Sequence, residues 1–383
     1  MRDVQLRAAL FPYLPDAAGD GLAALARHIE TEFERENPRI DLQLRKFDKN
    51  EDFYEVPWVA GLLGAGAPAT EDVAEVDSVI LGDLADLGVI GEWPAQATEG
   101  WHEAAKVATS VERNGVRARF GVPHWMCTHI LFSRSTAVAK SATARELIQN
   151  LRGLSTPAPN LFVDLAGSWN LPALYLDGWA DTNGNTKLET AITTPLNADA
   201  VASLVQLGKE CDENGTNPCV NQTFHDNDLA AERFARAESD GLLGYSERLH
   251  VVLRNQKDTS KIAMASAPLG AGSQPIVFVD SFVVRRGCDT KCRAAAESFI
   301  AFMNKPETFQ WIMLSEDVKA ERVPRYLLAA FPAVYDLPAI KADPYYSALN
   351  ALMVGAAPFP SRGLFGNRKA MKSALVKALS EMK

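Results

Sequence analysis

Residues 276–284 read Ile-Val-Phe-Val-Asp-Ser-Phe-Val-Val, a nine-residue run in which only Asp280 and Ser281 are polar. A run of this kind, rich in β-branched and aromatic residues, predicts a buried strand. At about 3.3 Å per residue it is long enough to cross from one lobe of a protein into another. An ionised carboxylate inside such a strand is costly without a partner, so Asp280 is a candidate ligand-binding residue by its position alone.

Strands and helices alternate along the first part of the chain. Residues 4–10 and 41–45 alternate as strands do, and residues 73–81 predict a third strand, with Asp77 inside it or just beyond its end. Residues 21–36, between the first two of these strands, carry apolar side chains at helical spacing. This order predicts a parallel sheet with crossover helices, and ligands of such sheets bind beyond the carboxyl ends of the strands.

The chain has 383 residues, too many for one ordinary core and enough for two α/β lobes. No internal repeat, low-complexity tract or long Pro/Gly/Ser-rich linker interrupts it. We therefore expect two lobes joined by strands, with a ligand-binding cleft between them, rather than domains strung on a flexible linker.

The charge balance limits the kinds of partner. With 39 basic and 48 acidic residues the net charge is −9, and an acidic surface repels nucleic acid and anionic membranes. No apolar run approaches the roughly 20 residues that cross a bilayer. The chain begins without a signal segment, so we expect either a cytoplasmic protein or a mature form whose leader has been removed.

The five cysteines help to choose between these compartments. Cys211 and Cys219, and likewise Cys288 and Cys292, are separated by short polar segments that predict surface loops. Local disulfides in an oxidising compartment are the favoured interpretation. A zinc site is the alternative, but neither pair has the two-residue spacing of a zinc knuckle. With both disulfides formed, Cys127 remains as either an inert buried residue or a thiol kept for chemistry.

Several catalytic motifs are missing from the sequence. It has no Gly-Lys-Ser/Thr phosphate loop, no dinucleotide fingerprint in a strand–helix context, no His-Glu-x-x-His and no Gly-x-Ser-x-Gly. We therefore expect no metal and no cofactor.

Two segments carry the candidate chemistry. Residues 121–134 place Cys127 after a Gly-x-Pro turn, where the chain would pass between lobes, although a lone cysteine is more often a small buried hydrophobe. Residues 241–247 form a short apolar strand that ends in Tyr245-Ser-Glu247. Side chains at such a strand end can point into a crevice, while the ordinary interpretation of Glu247 alone is a surface carboxylate.

Both segments resemble thiaminase I, the secreted thiamin pyridinylase of bacteria. The family's Gly-Ile-Pro-like turn leads to Cys-Thr-Asn and an aromatic-rich strand, as residues 121–132 do here, and its Gly-Tyr-Ser-Glu stands unchanged at 244–247. Weaker matches keep the same order along the chain, at residues 11–16, 164–167, 174–176, 325–328 and 334–335. Their shared order and spacing argue against chance.

The resemblance implies an α/β, two-lobed type II periplasmic-binding-protein-like fold, each lobe a mixed sheet flanked by helices. Residues 1–122 and 280–330 would form lobe 1, and residues 123–279 and 331–383 lobe 2. It also implies a secreted or periplasmic monomer. Its partners would be the small molecule thiamin and a small nucleophile as co-substrate, with no nucleic acid and no membrane.

The implied reaction replaces the thiazolium of thiamin by an incoming base or other nucleophile. Cys127 matches the family's nucleophile, which adds to the pyrimidine and forms a covalent intermediate before the thiazole leaves. Glu247 matches the general base that takes the thiol proton and later activates the incoming nucleophile. A neighbouring carboxylate does not itself favour a thiolate, so we expect proton transfer during attack.

Five further residues are assigned to substrate binding by the resemblance. Asp77 and Asp280 match aspartates that hydrogen-bond the amino group and ring nitrogen of the pyrimidine and stabilise the charge added on attack. Tyr13, Tyr54 and Tyr245 would line the cleft and stack on the cationic or aromatic substrate. Ordinary core packing is the alternative for each tyrosine.

The chain departs from the family pattern at three places. Phe278 stands where the family has tyrosine, His129 follows Cys127-Thr128 where asparagine is usual, and Glu75 breaks a more hydrophobic run before Asp77. These changes bear on the substrate range and the preferred nucleophile more than on the core reaction.

Two other functions fit parts of this sequence. The same fold could capture thiamin or a related pyrimidine without catalysis, although binding alone needs neither Cys127 nor Glu247. An unrelated cysteine hydrolase would need a histidine base, for which His124 and His129 are the residues nearest to Cys127 in the sequence.

Overall fold

The computed structural model describes residues 3–49, 51–94, 100–113, 115–154, 159–257 and 261–381. The contacts within the chain divide it into two compact units. Unit 1 comprises Met1–Met126, Phe278–Ser347 and Pro358–Phe365. Unit 2 comprises Cys127–Val277, Ala348–Ala357 and Gly366–Lys383.

Strands and helices alternate throughout the described chain. The strands are β1 (Val4–Ala9), β2 (Ile40–Leu44), β3 (Val73–Asp77), β4 (Ser110–Arg113), β5 (Val116–Arg119), β6 (Val122–Cys127), β7 (His129–Ser133), β8 (Leu161–Phe162), β9 (Gly241–Tyr245), β10 (Ala263–Ser266), β11 (Ile276–Val284), β12 (Leu328–Ala329) and β13 (Ala357–Pro358). The α-helices are α1 (Ala23–Glu36), α2 (Val56–Leu62), α3 (Leu81–Leu87), α4 (Glu103–Ala108), α5 (Thr136–Ala139), α6 (Ala144–Arg152), α7 (Asn170–Asn183), α8 (Ala198–Lys209), α9 (Leu229–Ala235), α10 (Arg248–Asn255), α11 (Thr290–Met303), α12 (Pro306–Met313), α13 (Pro338–Lys341), α14 (Pro344–Leu352) and α15 (Leu364–Ser380). Short 3-10 helices span Ser78–Ile80, Leu188–Ala191 and Pro332–Asp336.

The larger sheet has the strand order β12-β6-β11-β3-β1-β2, and β13 also pairs with β11. β1 runs parallel to β2 and β3, as the strand–helix–strand order predicts. The crossover helix α1 buries Leu25, Ile29 and Phe33, which recur every four residues on one face. β11 and β12 add antiparallel pairings, to β3 and β6 respectively, so the sheet is mixed.

The predicted third strand is shorter than the sequence indicates. β3 ends at Asp77, and a 3-10 helix follows because the Asp77 carboxylate accepts the Val79 backbone N–H at 2.9 Å. Aspartate is well suited to this capping role because its short side chain reaches back to the backbone.

The predicted Gly-x-Pro turn at residues 121–123 is wrong, because Val122 begins strand β6. Gly121 serves close packing instead: a Cβ at this position would lie 3.0 Å from the Ser281 Cβ. Glycine therefore allows the chain that leads into β6 to approach β11.

The nine-residue strand is confirmed as β11, and every residue in it is buried. The chain changes from unit 2 to unit 1 within this strand, between Val277 and Phe278, and it changes from unit 1 to unit 2 between Met126 and Cys127. Residues 331–347, assigned from the sequence to lobe 2, make their contacts within unit 1.

A buried tyrosine accounts for the placement of residues 331–347. The Tyr346 hydroxyl donates to Met313 O at 2.8 Å and accepts the Tyr326 backbone N–H at 3.0 Å. Both partners belong to unit 1, as Tyr346 itself does, so this hydroxyl bonds within that unit.

The sheet of unit 2 has the order β10-β7-β9-β8. β7 is antiparallel to both β9 and β10, whereas β8 is parallel to β9. This sheet is therefore mixed as well, and its central β7–β9 ladder carries the residues that surround Cys127 and Glu247 in the sequence.

Both predicted disulfides are present, Cys211–Cys219 and Cys288–Cys292. Cys127 belongs to neither and is half-buried. Among the helices that the structure describes, none is both long and apolar enough to cross a membrane.

Candidate functional site

Asp77 and Asp280 occupy directly opposed positions on β3 and β11. Opposed residues of an antiparallel pair project from the same face, with Cβ atoms about 5 Å apart. Both side chains are buried, and burial raises the pKa of Asp77 to about 7. Its Oδ1 accepts the Val79 N–H, while its Oδ2 has no hydrogen-bond partner within the described residues. A buried carboxylate oxygen of this kind is what a ligand donor would satisfy.

Glu75 adds a third carboxylate to this face, two residues before Asp77 on β3. Its Oε1 lies 2.5 Å from His124 Nδ1, and its Oε2 accepts the Phe11 backbone N–H at 3.1 Å. Glu75 and His124 are each 1% exposed. The departure from the family pattern at Glu75 therefore supplies a buried partner for His124, whose ring also packs 4.8 Å from that of Phe282.

Two of the three predicted substrate tyrosines lie together in unit 1. The Tyr13 and Tyr54 rings are 5.7 Å apart, and both pack against Phe11. The Tyr13 hydroxyl donates to the Glu51 carbonyl at 3.4 Å. Because the Phe11 N–H is bound by Glu75, this aromatic cluster is tied to the buried carboxylates.

Cys127 and Glu247 leave the same end of one ladder in unit 2. His129, the first residue of β7, is directly opposed to Tyr245, the last residue of β9. Cys127 precedes His129 by two residues, and Glu247 follows Tyr245 by two. Both side chains are half-buried, so a thiol and a carboxylate of moderate exposure flank one ladder end.

Both ring nitrogens of His129 are occupied. Nδ1 bonds to Asp177 Oδ2, and Nε2 lies 3.0 Å from Asn170 Oδ1. The ring is stacked on Tyr245, with centroids 4.6 Å apart and planes 26° apart. Burial raises the pKa of Asp177, and His129 partly opposes this shift.

This geometry removes the support for a cysteine hydrolase. Neither nitrogen of His129 is open to take a proton from Cys127. His124 lies three residues before Cys127 in β6, and an odd separation in a strand places two side chains on opposite faces. Its Nδ1 is committed to Glu75.

Asp177 and Asn170 are functional candidates that the sequence analysis missed. Both lie on α7, where Asp177 is 5% exposed within a largely apolar segment. A lone carboxylate on the buried face of a helix is the signal that could have found it. Phe278 is another of the three positions at which the chain departs from the family pattern. Its ring stacks on that of Phe359 with centroids 4.0 Å apart and fills the space next to β11.

One cluster of the described residues has the atoms to hold a cation: Asp164, His225 and Asp226 lie within 4.8 Å of one another. The loop itself accounts for this cluster. Asp164 Oδ1 accepts the N–H groups of Ala166 and Gly167, and its Oδ2 accepts that of Asp226. His225 Nδ1 lies 3.0 Å from the Ala166 carbonyl.

Comparison with solved structures first defines the class. The maltose-bound MalE3 of T. maritima matches with a TM-score of 0.74 and 16% identity, over 99% of this chain and 95% of that one. The chain therefore has the mixed α/β fold of the periplasmic binding proteins, as predicted.

Thiaminase I is similar in both sequence and structure. Thiaminase-1 of Paenibacillus thiaminolyticus is 24% identical over 361 residues, 91% of this chain and 80% of that protein. Clostridium botulinum thiaminase I in complex with thiamin has a TM-score of 0.77 at 21% identity, over 98% of this chain and 100% of that one. Thiaminase I from Bacillus thiaminolyticus has a TM-score of 0.74 at 21% identity, over 98% of this chain and 99% of that one. No protein-family model matches the chain. The resemblance found in the sequence is confirmed.

Proposed function

We propose that this protein degrades thiamin, replacing its thiazolium by an incoming base or other nucleophile through a covalent adduct on Cys127. The observation that carries the proposal is the ladder end at His129 and Tyr245, from which Cys127 and Glu247 are each two residues away along the chain. A nucleophile needs a base within reach. Cys127 precedes the first residue of β7 and Glu247 follows the last residue of β9, so both lie at the same end of this antiparallel pair.

The first step joins the Cys127 sulfur to the unsubstituted carbon of the aminopyrimidine as Glu247 takes the thiol proton. The electron pair displaced from the ring double bond then returns and expels the thiazole, which leaves as a neutral molecule with the pair of the broken C–N bond. An incoming nucleophile adds to the exocyclic methylene, and the sulfur leaves as the ring regains aromaticity. With a nucleophile that carries no proton, Glu247 returns the thiol's own proton to the departing thiolate. With a nucleophile that carries one, Glu247 first passes the thiol's proton to solvent, then takes the proton of the nucleophile and gives it to the thiolate.

Asp77 and Asp280 are proposed to hold the pyrimidine. With a pKa of about 7, Asp77 carries its proton for part of the time at neutral pH, so it can donate a hydrogen bond to a ring nitrogen. This donation strengthens as the ring gains charge, which lowers the barrier to attack. Asp280 would accept from the amino group, and Tyr13, Tyr54 and Tyr245 would stack on the rings.

We propose a location outside the cytoplasm, since two disulfides are stable there and the fold is that of periplasmic binding proteins. The protein would act as a monomer on thiamin and a small nucleophile, without a cofactor.

A solute-binding protein for thiamin or a related pyrimidine is the second candidate. The likeness to maltose-bound MalE3, with a TM-score of 0.74, favours it as strongly as fold can. The thiol and carboxylate at one ladder end favour the enzyme, because capture of a solute needs neither.

The deciding experiment follows thiamin and its base-exchanged product with aniline or pyridine as acceptor. Wild type should form the product, while Cys127→Ser and Glu247→Gln should lose it by at least about a hundredfold. Ser133→Ala is the matched control, because it removes a buried hydroxyl at the opposite end of the same ladder. Wild-type protein that binds thiamin and leaves it intact would establish the binding protein instead.

A further inference from the structure

A buried polar group packs beneath the ladder end and has no part in the steps above. His129 and Asp177 are 2% and 5% exposed, and they are bonded to each other. Removing a histidine and a carboxylate from water is costly, and apolar side chains of similar size would often stabilise a fold as well. Stability alone therefore does not account for this pair.

The hydrogen bonds hold the imidazole at both ends. Asn170 Nδ2 donates to the Asp164 carbonyl at 2.6 Å, which sets the orientation of its amide. Its Oδ1 therefore accepts the Nε2–H of His129 at 3.0 Å. On the other side of the ring, Nδ1 is hydrogen-bonded to Asp177 Oδ2. A ring bonded at both nitrogens cannot turn about its χ2 angle without breaking a buried hydrogen bond.

The face of this ring is presented to Tyr245. We propose that His129, held by Asp177 and Asn170, is a positioning residue that fixes Tyr245 and so sets the ladder end from which Cys127 and Glu247 extend. This inference rests on the proposed function and concerns the same site. His129 acts through the ring that it stacks on, and it exchanges no proton with the substrate.

The test separates stacking from proton transfer. His129→Ala removes the ring, and kcat should fall at least about tenfold, because small displacements of reacting groups are costly. The KM for thiamin should rise by a smaller factor than kcat falls, because Tyr245 is one of three rings proposed to stack on the substrate. The double variant His129→Phe/Asp177→Leu keeps a flat ring against Tyr245 without buried charge. It should retain kcat within about threefold of wild type, because apolar packing against the introduced leucine then holds the phenyl ring, as hydrogen bonds hold the imidazole in the wild type. An equal loss of kcat in both variants would overturn the inference, since the imidazole protons would then be required.

Ser133→Ala controls for stability. Ser133 is fully buried on β7, and its hydroxyl donates to Asp240 O at 2.8 Å and accepts the Ser135 N–H at 3.0 Å. This variant should melt at a lower temperature with kcat unchanged. A loss of kcat that simply followed the melting temperature across all variants would contradict a positioning role.

A second measurement needs no turnover. With four of the five cysteines in disulfides, iodoacetamide reports on Cys127. Alkylation should be at least about threefold faster in His129→Ala, because loosening the ladder end exposes the half-buried thiol. Ser133→Ala and the double variant should react at the wild-type rate. If wild type leaves thiamin intact, the proposed function fails, and these rates still decide the inference: equal rates in all variants overturn it.

Discussion

Asp77 and Asp280 face each other across the β3–β11 ladder, so two carboxyl groups from distant parts of the chain are buried on one face of one sheet. Burial of the Asp77 carboxyl disfavours its ionised form. The pKa of Asp77, raised to about 7, places its titration within the neutral range. Both stability and activity should respond to pH there.

The first prediction concerns stability. A carboxyl whose pKa is raised in the folded state stabilises the fold fully below the unfolded pKa, and this stabilisation is lost as pH rises through the folded pKa. The ordinary pKa of an aspartate is 3.8, and the pKa of Asp77 in the folded protein is about 7. The contribution of Asp77 to the free energy of unfolding should therefore fall by about 1.4 kcal/mol between about pH 6 and pH 8.

Urea denaturation of wild type and Asp77→Asn across this range measures the effect. The variant cannot ionise, so the difference in the free energy of unfolding should move in its favour as pH rises. A constant difference between the two proteins would show that Asp77 does not titrate there.

The second prediction concerns Asp72, whose contribution to stability should change with pH in the opposite direction to that of Asp77. Burial opposes ionisation of Asp72, but hydrogen bonds from Arg285, at 2.8 Å, and from Arg7 outweigh it and lower the pKa of Asp72. Its stabilisation is present above the unfolded pKa and is lost as pH falls through the folded pKa. Asp72→Asn should cost about 1–3 kcal/mol at neutral pH, with a smaller cost in acid. Thermal melts at neutral and acidic pH provide the comparison.

The third prediction concerns activity. If Asp77 donates its proton to the pyrimidine, kcat/KM for thiamin should decrease as pH rises through about 7. Asp77→Asn should lower kcat/KM by about a hundredfold or more and abolish that part of the pH profile. A profile unchanged in shape in the variant would assign the titration to another group.

The fourth prediction concerns the disulfides. Cys211 and Cys219 are both fully buried and enclose a short loop, so replacing both by serine should lower the free energy of unfolding by about 2–3 kcal/mol. Replacing the more exposed Cys288–Cys292 pair should cost less. Urea denaturation of the two double-serine variants, each compared with wild type, checks the order. Base exchange at low temperature should be unaffected by either replacement, because Cys127 is in neither disulfide.

Local patterns in the sequence predicted much of the fold. The apolar run 276–284 is strand β11, the helical spacing in 21–36 gives α1, and the two polar cysteine loops form disulfides. Each of these features depends on neighbours within a few residues, so the sequence displays it directly. The resemblance to thiaminase I supplied the candidate residues, whose catalytic roles remain predictions.

Other features depend on which strands become neighbours. The Gly-x-Pro motif predicted a turn, yet Gly121 is needed where the chain packs against Ser281. Neither the opposed aspartates nor the pairing of His129 with Asp177 could be read from spacing, because the partners come from separate segments.

The sequence by itself thus determined the periodic elements, the covalent loops and the identity of the candidate groups, because these follow from short-range sterics and from the residue types. Only the tertiary structure decided that Asp280 would face Asp77 and that His129 would be held beneath Tyr245. Strand register and burial are settled by contacts between distant segments, and those contacts set the hydrogen-bond partners and the pKa values of the site.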